Sequence, residues 1–439
     1  MDKHYKIVTY GCQMNVHESE KIAFVLEKKG YKLCENEKDA DIIVFNTCAI
    51  RENAEEHAFG NIGALKQIKR KKPELITAVF GCMTQQNGVA EKLHKTFPWV
   101  DIIFGTYNLD EFEDLLNKKL EGAKSVVEVL NREKCVNENM QSYRTSYPNG
   151  WVNIMEGCDN FCTYCIVPYV KGRERSRLPE NICSEVEELV KNGYKEITLL
   201  GQNVNSYGKD LSDKITFSEL LEKLCRIPGK FRLRFMTNHP KDFSYDLVKT
   251  MKKEDKICNC IHLPIQSGSN EVLKLMNRKY TREDYLEKLA YLKREIPDCA
   301  VTTDIMVGFP KETEEDFKDT LELVKQAKFS NAFTFIYSRR KGTVADKMDG
   351  QIDDETKKSR ITRLIDAVSE TARSLCKDYL GKTVEVLCEG YDEKKSKYLG
   401  RDEYGRMVYF SSDKDLTGEF VNVLIDKVGG ISLYGELVN

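Results

Sequence analysis

Short apolar runs alternate with amphipathic helical stretches twice along this chain, and that rhythm leaves few folds open to it. Over residues 1–121 strands are predicted at Lys6 to Thr9, Ile42 to Asn46, Thr77 to Phe80 and Asp101 to Phe104. Helices are predicted at Glu18 to Lys29, Asn53 to Lys71 and Asn108 to Leu120, the last opening on Asn108 and Glu111 at capping-box spacing. Short apolar strands joined by helices imply a parallel sheet covered on both faces. Residues 122–148 lose the rhythm, turn polar and read as an extended connector. From Trp151 the alternation resumes, with strands at Trp151 to Met155, Glu196 to Leu200, Arg232 to Met236, Cys260 to Pro264, Thr302 to Val307 and Phe333 to Tyr337. Two intervening helices open on Thr281/Asp284 and Thr313/Asp316, again at capping-box spacing. Six β/α units with no sign of a sheet reversal predict a barrel-like sheet that need not close. A helix from Asp354 to Tyr379 ends it. Five β-rich runs follow, at Lys382 to Glu389, Tyr398 to Arg401, Met407 to Phe410, Glu419 to Asp426 and Ile431 to Leu437. They predict a small all-β barrel of the OB type. The expected fold class is therefore α/β: a parallel-sheet domain over 1–121, a connector over 122–148, a partial (β/α)6 barrel over 149–378 and an all-β domain over 379–439.

This rhythm gives meaning to six of the 15 cysteines. Cys158, Cys162 and Cys165 fall within eight residues at CxxxCxxC spacing, with Tyr164 before the last and Gly157 just ahead. Three thiolates can hold a cube-shaped iron–sulfur cluster and leave one iron open to a small molecule, whereas four would close it into an electron carrier. Cys12, Cys48 and Cys82 are far apart in sequence, but each sits just past the carboxyl end of a predicted strand, one βα unit after the last. In a parallel sheet those ends share one edge, where α/β proteins bind ligands. A second cluster on these three is expected, with Gly11 and Gly81 allowing close backbone approach. The competing reading is three ordinary buried thiols. Cys258 and Cys260 share a strand face and belong to core or rim. Cys34, Cys135, Cys183, Cys225, Cys299, Cys376 and Cys388 are assigned to packing.

At 439 residues the chain has room for two or three domains. Its first residues carry no apolar leader, and no apolar run approaches the roughly 20 residues of a membrane span. Many cysteines without a leader point to reduced thiols and metal ligands, so a cytoplasmic location is expected. A net charge of −2 is neutral on polyanions and leaves the matter to local patches. The candidates are Lys69-Arg70-Lys71-Lys72, the alternating Lys171/Arg173/Arg175/Arg177, and Arg339-Arg340-Lys341; each reads as readily as a solvated face.

The residues around the two cysteine sets resemble the radical AdoMet methylthiotransferases (AdoMet, S-adenosylmethionine). Gly157-Cys158 through Cys165, followed by Ile166-Val167-Pro168-Tyr169 and Gly172-Arg173-Glu174-Arg175-Ser176-Arg177, is similar to that family's cluster loop. The Cys12/Cys48/Cys82 set is similar to its N-terminal domain, and the β-rich tail to its TRAM domain, an RNA-binding OB-like module. The resemblance runs across essentially the whole chain in the same domain order. Three stretches resemble the branch that forms 2-methylthio-N6-isopentenyladenosine in tRNA. They are Tyr10-Gly11-Cys12-Gln13-Met14-Asn15, Asn46-Thr47-Cys48-Ala49-Ile50-Arg51-Glu52 with Ala58-Phe59-Gly60-Asn61, and Leu200-Gly201-Gln202-Asn203-Val204-Asn205-Ser206-Tyr207-Gly208. Sister branches that modify threonylcarbamoyladenosine in tRNA, or an aspartate of a small-subunit ribosomal protein, are the alternatives and are expected to differ at Gln13-Met14. The chain departs from the family at three points. Lys311 stands where Gly usually follows Gly308-Phe309-Pro310, Asn238 where Ser commonly precedes His239-Pro240, and Arg339 where Pro is common.

The resemblance implies two 4Fe-4S clusters and AdoMet as cofactors. The open iron of the Cys158/Cys162/Cys165 cluster would bind AdoMet and pass it one electron, releasing methionine and a 5′-deoxyadenosyl radical. The Cys12/Cys48/Cys82 cluster would carry sulfide that AdoMet first methylates, so two AdoMet are consumed per product. AdoMet contacts are implied at barrel strand ends: Tyr164 near the adenine, Gln202 and Asn203 after the second strand, Gln266 and Ser267 after the fourth, and the backbone of Val307 and Gly308 after the fifth. The plainer alternative is that Gln202/Asn203 and Gly308-Phe309-Pro310 only shape turns. The target base would leave the anticodon stem-loop stack, as modified bases do. Lys394, Lys395, Lys397, Arg401 and Arg406 of the tail are candidates to grip the tRNA, their charge offset by Asp392, Glu393, Asp402 and Glu403. A flavodoxin- or ferredoxin-like electron donor and a sulfur source are the other implied partners; no membrane is, and a monomer is expected. Two rivals stand apart. A closed electron relay would need a fourth ligand that does not recur near the N-terminal set. A non-enzymatic iron–sulfur sensor that binds RNA would leave the six-unit barrel without a purpose.

Overall fold

Alternating residues of the N-terminal strands face opposite layers, and this sets the first part of the fold. In the computed structural model, which describes residues 2–49, 52–130, 138 and 140–438, six parallel strands pair in a fixed order. That order is Tyr31–Leu33, Lys3–Thr9, Ile42–Thr47, Ile76–Gly81, Ile102–Phe104 and Val126–Glu128. Ile42, Val44, Ala78 and Phe80 pack with the helices Gln13–Lys28 and Phe112–Leu120 on one face. Ile43, Phe45 and Val79 pack with Glu52–Lys71 and Val89–Thr96 on the other. Each such side chain, fully withdrawn from water, contributes roughly 1.5–3 kcal/mol.

Two strands of this sheet exceed the expectation: Tyr31–Leu33 at one edge, and Val126–Glu128 inside the stretch expected to be connector. Both are three residues long, too short to show a period. Asn108 and Glu111 do not form the expected capping box, and Glu111 instead sits at the N-cap of the later helix without a side-chain cap bond. They lie in a 3-10 turn, Thr106–Glu111, where Asn108 Nδ2 donates to Glu111 Oε2 (2.7 Å) and Asn108 Oδ1 accepts from Leu130 N (3.0 Å). The α-helix begins only at Phe112. Cys135, expected in packing, and Ile50-Arg51 lie outside the described residues.

The chain divides into two compact units. One comprises Met1–Thr145, Met155–Asp159 and Cys165–Arg175; the other comprises Ser146–Ile154, Asn160–Tyr164 and Ser176–Asn439. In the second unit six parallel strands form two ladders. The first runs Arg232–Phe235, Glu196–Leu200, Asn149–Asn153; the second runs Cys260–His262, Ala300–Val307, Asn331–Ile336. A parallel bridge joins Leu233 of the first ladder to Ile257, just ahead of Cys260–His262. Among the described residues no ladder joins the first strand to the last, so the sheet is a partial barrel. Thr281 and Thr313 form complete capping boxes with Asp284 and Asp316, as their spacing predicts.

After the long helix Asp354–Lys377, five strands close into a barrel: Thr383–Asp392, Lys397–Arg401, Met407–Phe410, Ser432–Val438 and Phe420–Gly429. Arginines of the Arg232–Phe235 strand hold this barrel in place. Arg232 donates to Arg401 O (3.0 Å) and Glu385 O (2.9 Å). Arg234 grips Glu196 bidentately (2.8 Å twice) and reaches Asp402 O (3.2 Å). Arg234 and Glu196 are both buried, so the fork–fork geometry is what makes the charges tolerable there. Among the described residues no helix is long and apolar enough to cross a membrane.

The departure at Lys311 has a conformational reading. Lys311 sits at φ 68°, in the left-handed region, and its N–H donates to Gly350 O (2.8 Å). A side chain there costs roughly 1–2 kcal/mol, against 0.4–1 kcal/mol of extra unfolded-chain entropy for glycine. Lys311→Gly is therefore expected to raise stability by about 1 kcal/mol, measured by urea unfolding.

Candidate functional site

The carboxyl edge of the N-terminal sheet gathers three thiols. Cys12 follows Lys3–Thr9 and is the N-cap of Gln13–Lys28; Cys48 follows Ile42–Thr47; Cys82 follows Ile76–Gly81. The three strands are adjacent, so parallel order turns a long sequence spacing into neighbouring sulfurs. Burial pushes the thiols of Cys12 and Cys82 up. A Cβ on Gly11 (φ 111°) would lie 2.8 Å from Cys48 Cβ, and one on Gly81 (φ 113°) 2.4 Å from Thr47 O. Both turns thus require glycine. Cys12 Sγ donates to Asn15 Oδ1 (3.4 Å), while Asn15 Nδ2 donates to Asn46 Oδ1 (3.1 Å) and Thr47 O (3.2 Å). Asn46 Nδ2 returns a bond to Asn15 O (2.7 Å). Three thiols on braced strand ends suit a cube held by three thiolates and open at its fourth iron. Among the described residues no group of three or more His, Cys, Asp or Glu side chains is already gathered closely enough to hold a metal ion.

A buried ion pair stands beside this edge. Ala49, Cys82, Ile166 and Val170 form one apolar cluster, and Thr106 Oγ1 donates to Val170 O (2.7 Å). The next residue, Lys171, is buried and bonds the buried Glu18 of the Gln13–Lys28 helix. Burial opposes the Lys171 charge, but Glu18, Cys82 and Glu156 together hold it well up. The candidate basic stripe is therefore not a surface. Lys171 pairs inward, Arg175 meets Glu156 (3.5 Å) and lies over the Tyr107 ring, and Arg177 bonds Glu185 (2.6 Å) and Asn153 O (2.7 Å). Of the four, Arg173 is the exposed one. Alternation along a chain implies a common face only in a strand. Here the segment passes through a helical turn, Val167–Val170, and a two-residue strand, Arg175–Ser176.

The loop that carries Cys158, Cys162 and Cys165 is pinned by backbone bonds. Cys158 N donates to Gly172 O (3.1 Å), and a Cβ on Gly157 (φ 80°) would lie 1.9 Å from Arg173 O. In the second unit Asn277 Nδ2 donates to Phe161 O (3.0 Å), Thr163 N to Met276 O (3.1 Å) and Ala345 N to Thr163 O (2.8 Å). Tyr164 packs edge-on to Phe309 in a cluster with Val272, Met276 and Tyr337. Arg278 Nη1 donates to Cys162 Sγ (3.3 Å).

Buried polar groups collect where the second unit's strands end. Asn203 caps a 3-10 turn and donates to Asp242 Oδ2 (2.8 Å), but its Oδ1 has no partner among the described residues. The same holds for Asn153 Oδ1 and Nδ2, Asn238 Oδ1 and His239 Nε2, all on residues at most 8% exposed. Buried polar atoms left unmatched at the carboxyl ends of parallel strands fit a polar small molecule such as AdoMet. Of these candidates Asn203 is expected from the sequence, with Gln202 beside it; Asn153, Asn238 and His239 carry no spacing signal. Gln202 is half-buried beside Asn203. Gln266 sits at φ 71° with its N–H on Asp304 O (2.8 Å). Ser267 is turned into the fold, 3.4 Å from Thr320 Oγ1 and accepting from Ser269 N (3.2 Å). Val307 O accepts from Tyr337 N (2.8 Å), and Gly308 N donates to Glu312 Oε2 (2.7 Å). Glu312 is itself held by the buried Arg360 (2.8 Å).

On the C-terminal barrel the basic candidates separate. Arg401 Nη1 is taken by both oxygens of Glu389 (2.6 Å each). Arg406 bonds Cys376 Sγ (3.2 Å) and lies over Tyr379. Lys394 and Lys395 are exposed, with Lys395 Nζ 3.6 Å from the Tyr409 ring centre and Tyr409 stacked on Tyr434, while the half-buried Lys397 donates to Ser411 Oγ (3.0 Å).

Two outcomes follow from these buried charges. Lys171→Met leaves Glu18 uncompensated and is expected to cost about 3–5 kcal/mol in urea unfolding of the metal-free protein. The double variant Glu18→Gln/Lys171→Met is expected to recover most of it. His239 is pushed down to about 2 by burial and by Arg278. Below its ordinary value of 6.5 the unfolded chain binds a proton that the folded one refuses, so this residue costs stability as pH falls. His239→Gln is expected to flatten the acid-side slope by about 1.4 kcal/mol per pH unit, read from urea midpoints.

Comparison with known proteins completes the picture. Residues 4–105 match the uncharacterized protein family UPF0004, residues 152–324 the radical SAM superfamily and residues 377–438 the TRAM domain. The chain is 52% identical over 440 residues to the tRNA-2-methylthio-N(6)-dimethylallyladenosine synthase of Clostridium perfringens (strain SM101 / Type A), covering 100% of this chain and 98% of that one. It is 52% identical over 437 residues to the enzyme of the same name from Caldicellulosiruptor saccharolyticus, covering 100% and 93%. Among solved structures, the radical S-adenosylmethionine methyltransferase TsrM from Kitasatospora setae aligns with a TM-score of 0.56 at 14% identity, over 79% of this chain and 77% of that one, a likeness of fold alone. Identity of this extent along the full length, with the three domains in order, places the chain in the radical AdoMet tRNA methylthiotransferase family.

Proposed function

We propose that this protein transfers a methylthio group to C2 of N6-isopentenyladenosine in the tRNA anticodon stem-loop. The observation that carries the reading is the N-terminal edge, where three adjacent parallel strands each end in a cysteine, at Cys12, Cys48 and Cys82. A radical enzyme that only abstracts hydrogen has no use for such a set, whereas one that inserts sulfur needs a place to keep it. When bound, a 4Fe-4S cluster on Cys158, Cys162 and Cys165 supplies the electron that cleaves AdoMet to a radical, and one on Cys12, Cys48 and Cys82 supplies sulfur.

The chain's own residues supply placement. Gly11, Gly81 and the Asn15–Asn46 pair hold the N-terminal thiols in register. Asn153, Asn203, Asn238 and His239 offer buried polar atoms to AdoMet. Tyr164 adds an aromatic face in the second unit. Gln202, Gln266, Ser267 and the backbone of Val307 and Gly308 stay AdoMet candidates at strand ends. Lys394, Lys395 and Lys397 offer charge to RNA, with the half-buried Tyr434 beside them and the buried Tyr409 supporting Lys395 and Tyr434 from beneath. The reading includes consumption of two AdoMet per product, a flavodoxin- or ferredoxin-like electron donor, a separate sulfur source, a cytoplasmic location and a monomeric enzyme. The domain limits at residues 121, 148 and 378 belong to it too. The 52% identity to enzymes named for dimethylallyladenosine in tRNA favours this substrate over the threonylcarbamoyl and ribosomal-protein alternatives.

Anaerobic reconstitution is expected to load about eight irons, two cubes with three cysteines each. Replacing Cys158, Cys162 and Cys165 with Ala is expected to halve the iron and abolish AdoMet cleavage. Replacing Cys12, Cys48 and Cys82 is expected to halve it and spare cleavage while stopping sulfur insertion. Nucleoside mass spectrometry of tRNA from a deletion strain is expected to show isopentenyladenosine without its methylthio group. Sulfur insertion that survives loss of the N-terminal cysteines, or an unchanged nucleoside profile, defeats the reading.

A further inference from the structure

Arg278 is buried without a carboxylate to answer its charge. It lies 8% exposed, just beyond the Asn270–Leu275 helix. Its Nη1 donates to Cys162 Sγ (3.3 Å), its Nη2 to Pro264 O (2.8 Å) and its Nε to Tyr280 Oη (2.7 Å). Tyr280 Oη in turn donates to Ile265 O (2.9 Å). Among the described residues no Asp or Glu pairs with it. Burial works against its charge, and the groups that favour the charge are Tyr280, Tyr164 and Cys162. His239, nearby and held neutral, adds no anion.

A guanidinium does not give up its proton in a protein, and withdrawing it from water is unfavourable unless an anion compensates. Elsewhere in this unit the chain meets that condition with carboxylates: Arg234 has Glu196 and Arg360 has Glu312. Of the two ionisable groups Arg278 bonds, Tyr280 keeps its proton on Ile265 O, which leaves the Cys162 sulfur as the anion-forming partner. Charge and an N–H bond delivered to a ligand sulfur favour the more negative, reduced state of a thiolate-held cluster. The geometry points to Arg278 as the built-in counterion of the Cys158/Cys162/Cys165 cluster, a positioning residue that fixes the Cys162 sulfur and raises the cluster's reduction potential. The inference rests on the proposal that these three cysteines hold a cluster.

The test uses the full-length chain with Cys12, Cys48 and Cys82 replaced by Ala, so that one cluster carries the signal. If this parent takes up no iron, the cluster reading fails and the inference fails with it. If it takes up about four irons, Arg278→Met and Arg278→Lys are compared with it by potentiometric titration followed by electron paramagnetic resonance. Arg278→Met is expected to shift the midpoint to more negative potential. Arg278→Lys, which keeps the charge and loses the planar fork, is expected to fall between. Should the Met variant fail to hold iron, the Lys variant decides by the same measurement. Both variants at the parent potential overturn the inference. Weaker binding of AdoMet at an unchanged potential also overturns it and assigns Arg278 to the AdoMet carboxylate instead.

Discussion

A parallel sheet delivers the carboxyl end of every strand to the same edge, and the chemistry of this chain depends on that constraint. Ile42–Thr47 lies between Lys3–Thr9 and Ile76–Gly81, so the residues just past the three strands become neighbours although whole helices separate them in sequence. The approach is close enough that Gly11 and Gly81 have no room for a Cβ. The same rule acts in the second unit. There Asn153, Asn203, Asn238 and His239 stand at or just after the carboxyl ends of successive strands with polar atoms left unmatched.

Charge is handled differently in the interior and on the surface. Lys171 with Glu18, Arg234 with Glu196 and Arg360 with Glu312 are all buried pairs. Such pairs add little net stability over apolar packing, but breaking one is expensive, so they hold an arrangement in place. Arg234 shows the use of this, since the same guanidinium that satisfies Glu196 also takes the Asp402 carbonyl of the C-terminal barrel. Lys394 and Lys395 are left outside, where long side chains stay solvated and available to a polyanion.

Much of the fold was legible before the structure. Glu196–Leu200 and Met407–Phe410 fall where the apolar pattern puts them, and both Thr/Asp capping boxes form. These features are local, and hydrogen bonds and periodicity decide them within a few residues. Tyr31–Leu33 and Val126–Glu128 were not legible, because three residues carry no period and they are strands only through their neighbours. Asn108–Glu111 shows the opposite failure: the capping pattern is present, but Leu130 recruits Asn108 and a 3-10 turn results.

For the site, the chain alone makes the six cysteines candidates, because ligand spacing and position after a strand are written in one dimension. It could not tell which cations face inward. Lys171, Arg175 and Arg177 look in sequence like a nucleic-acid stripe, and in the fold they meet Glu18, Glu156 and Glu185. Arg278 has no sequence mark at all. Its contact with Cys162 joins residues 116 positions apart, and a buried charge finds its partner only when distant segments pack and water leaves.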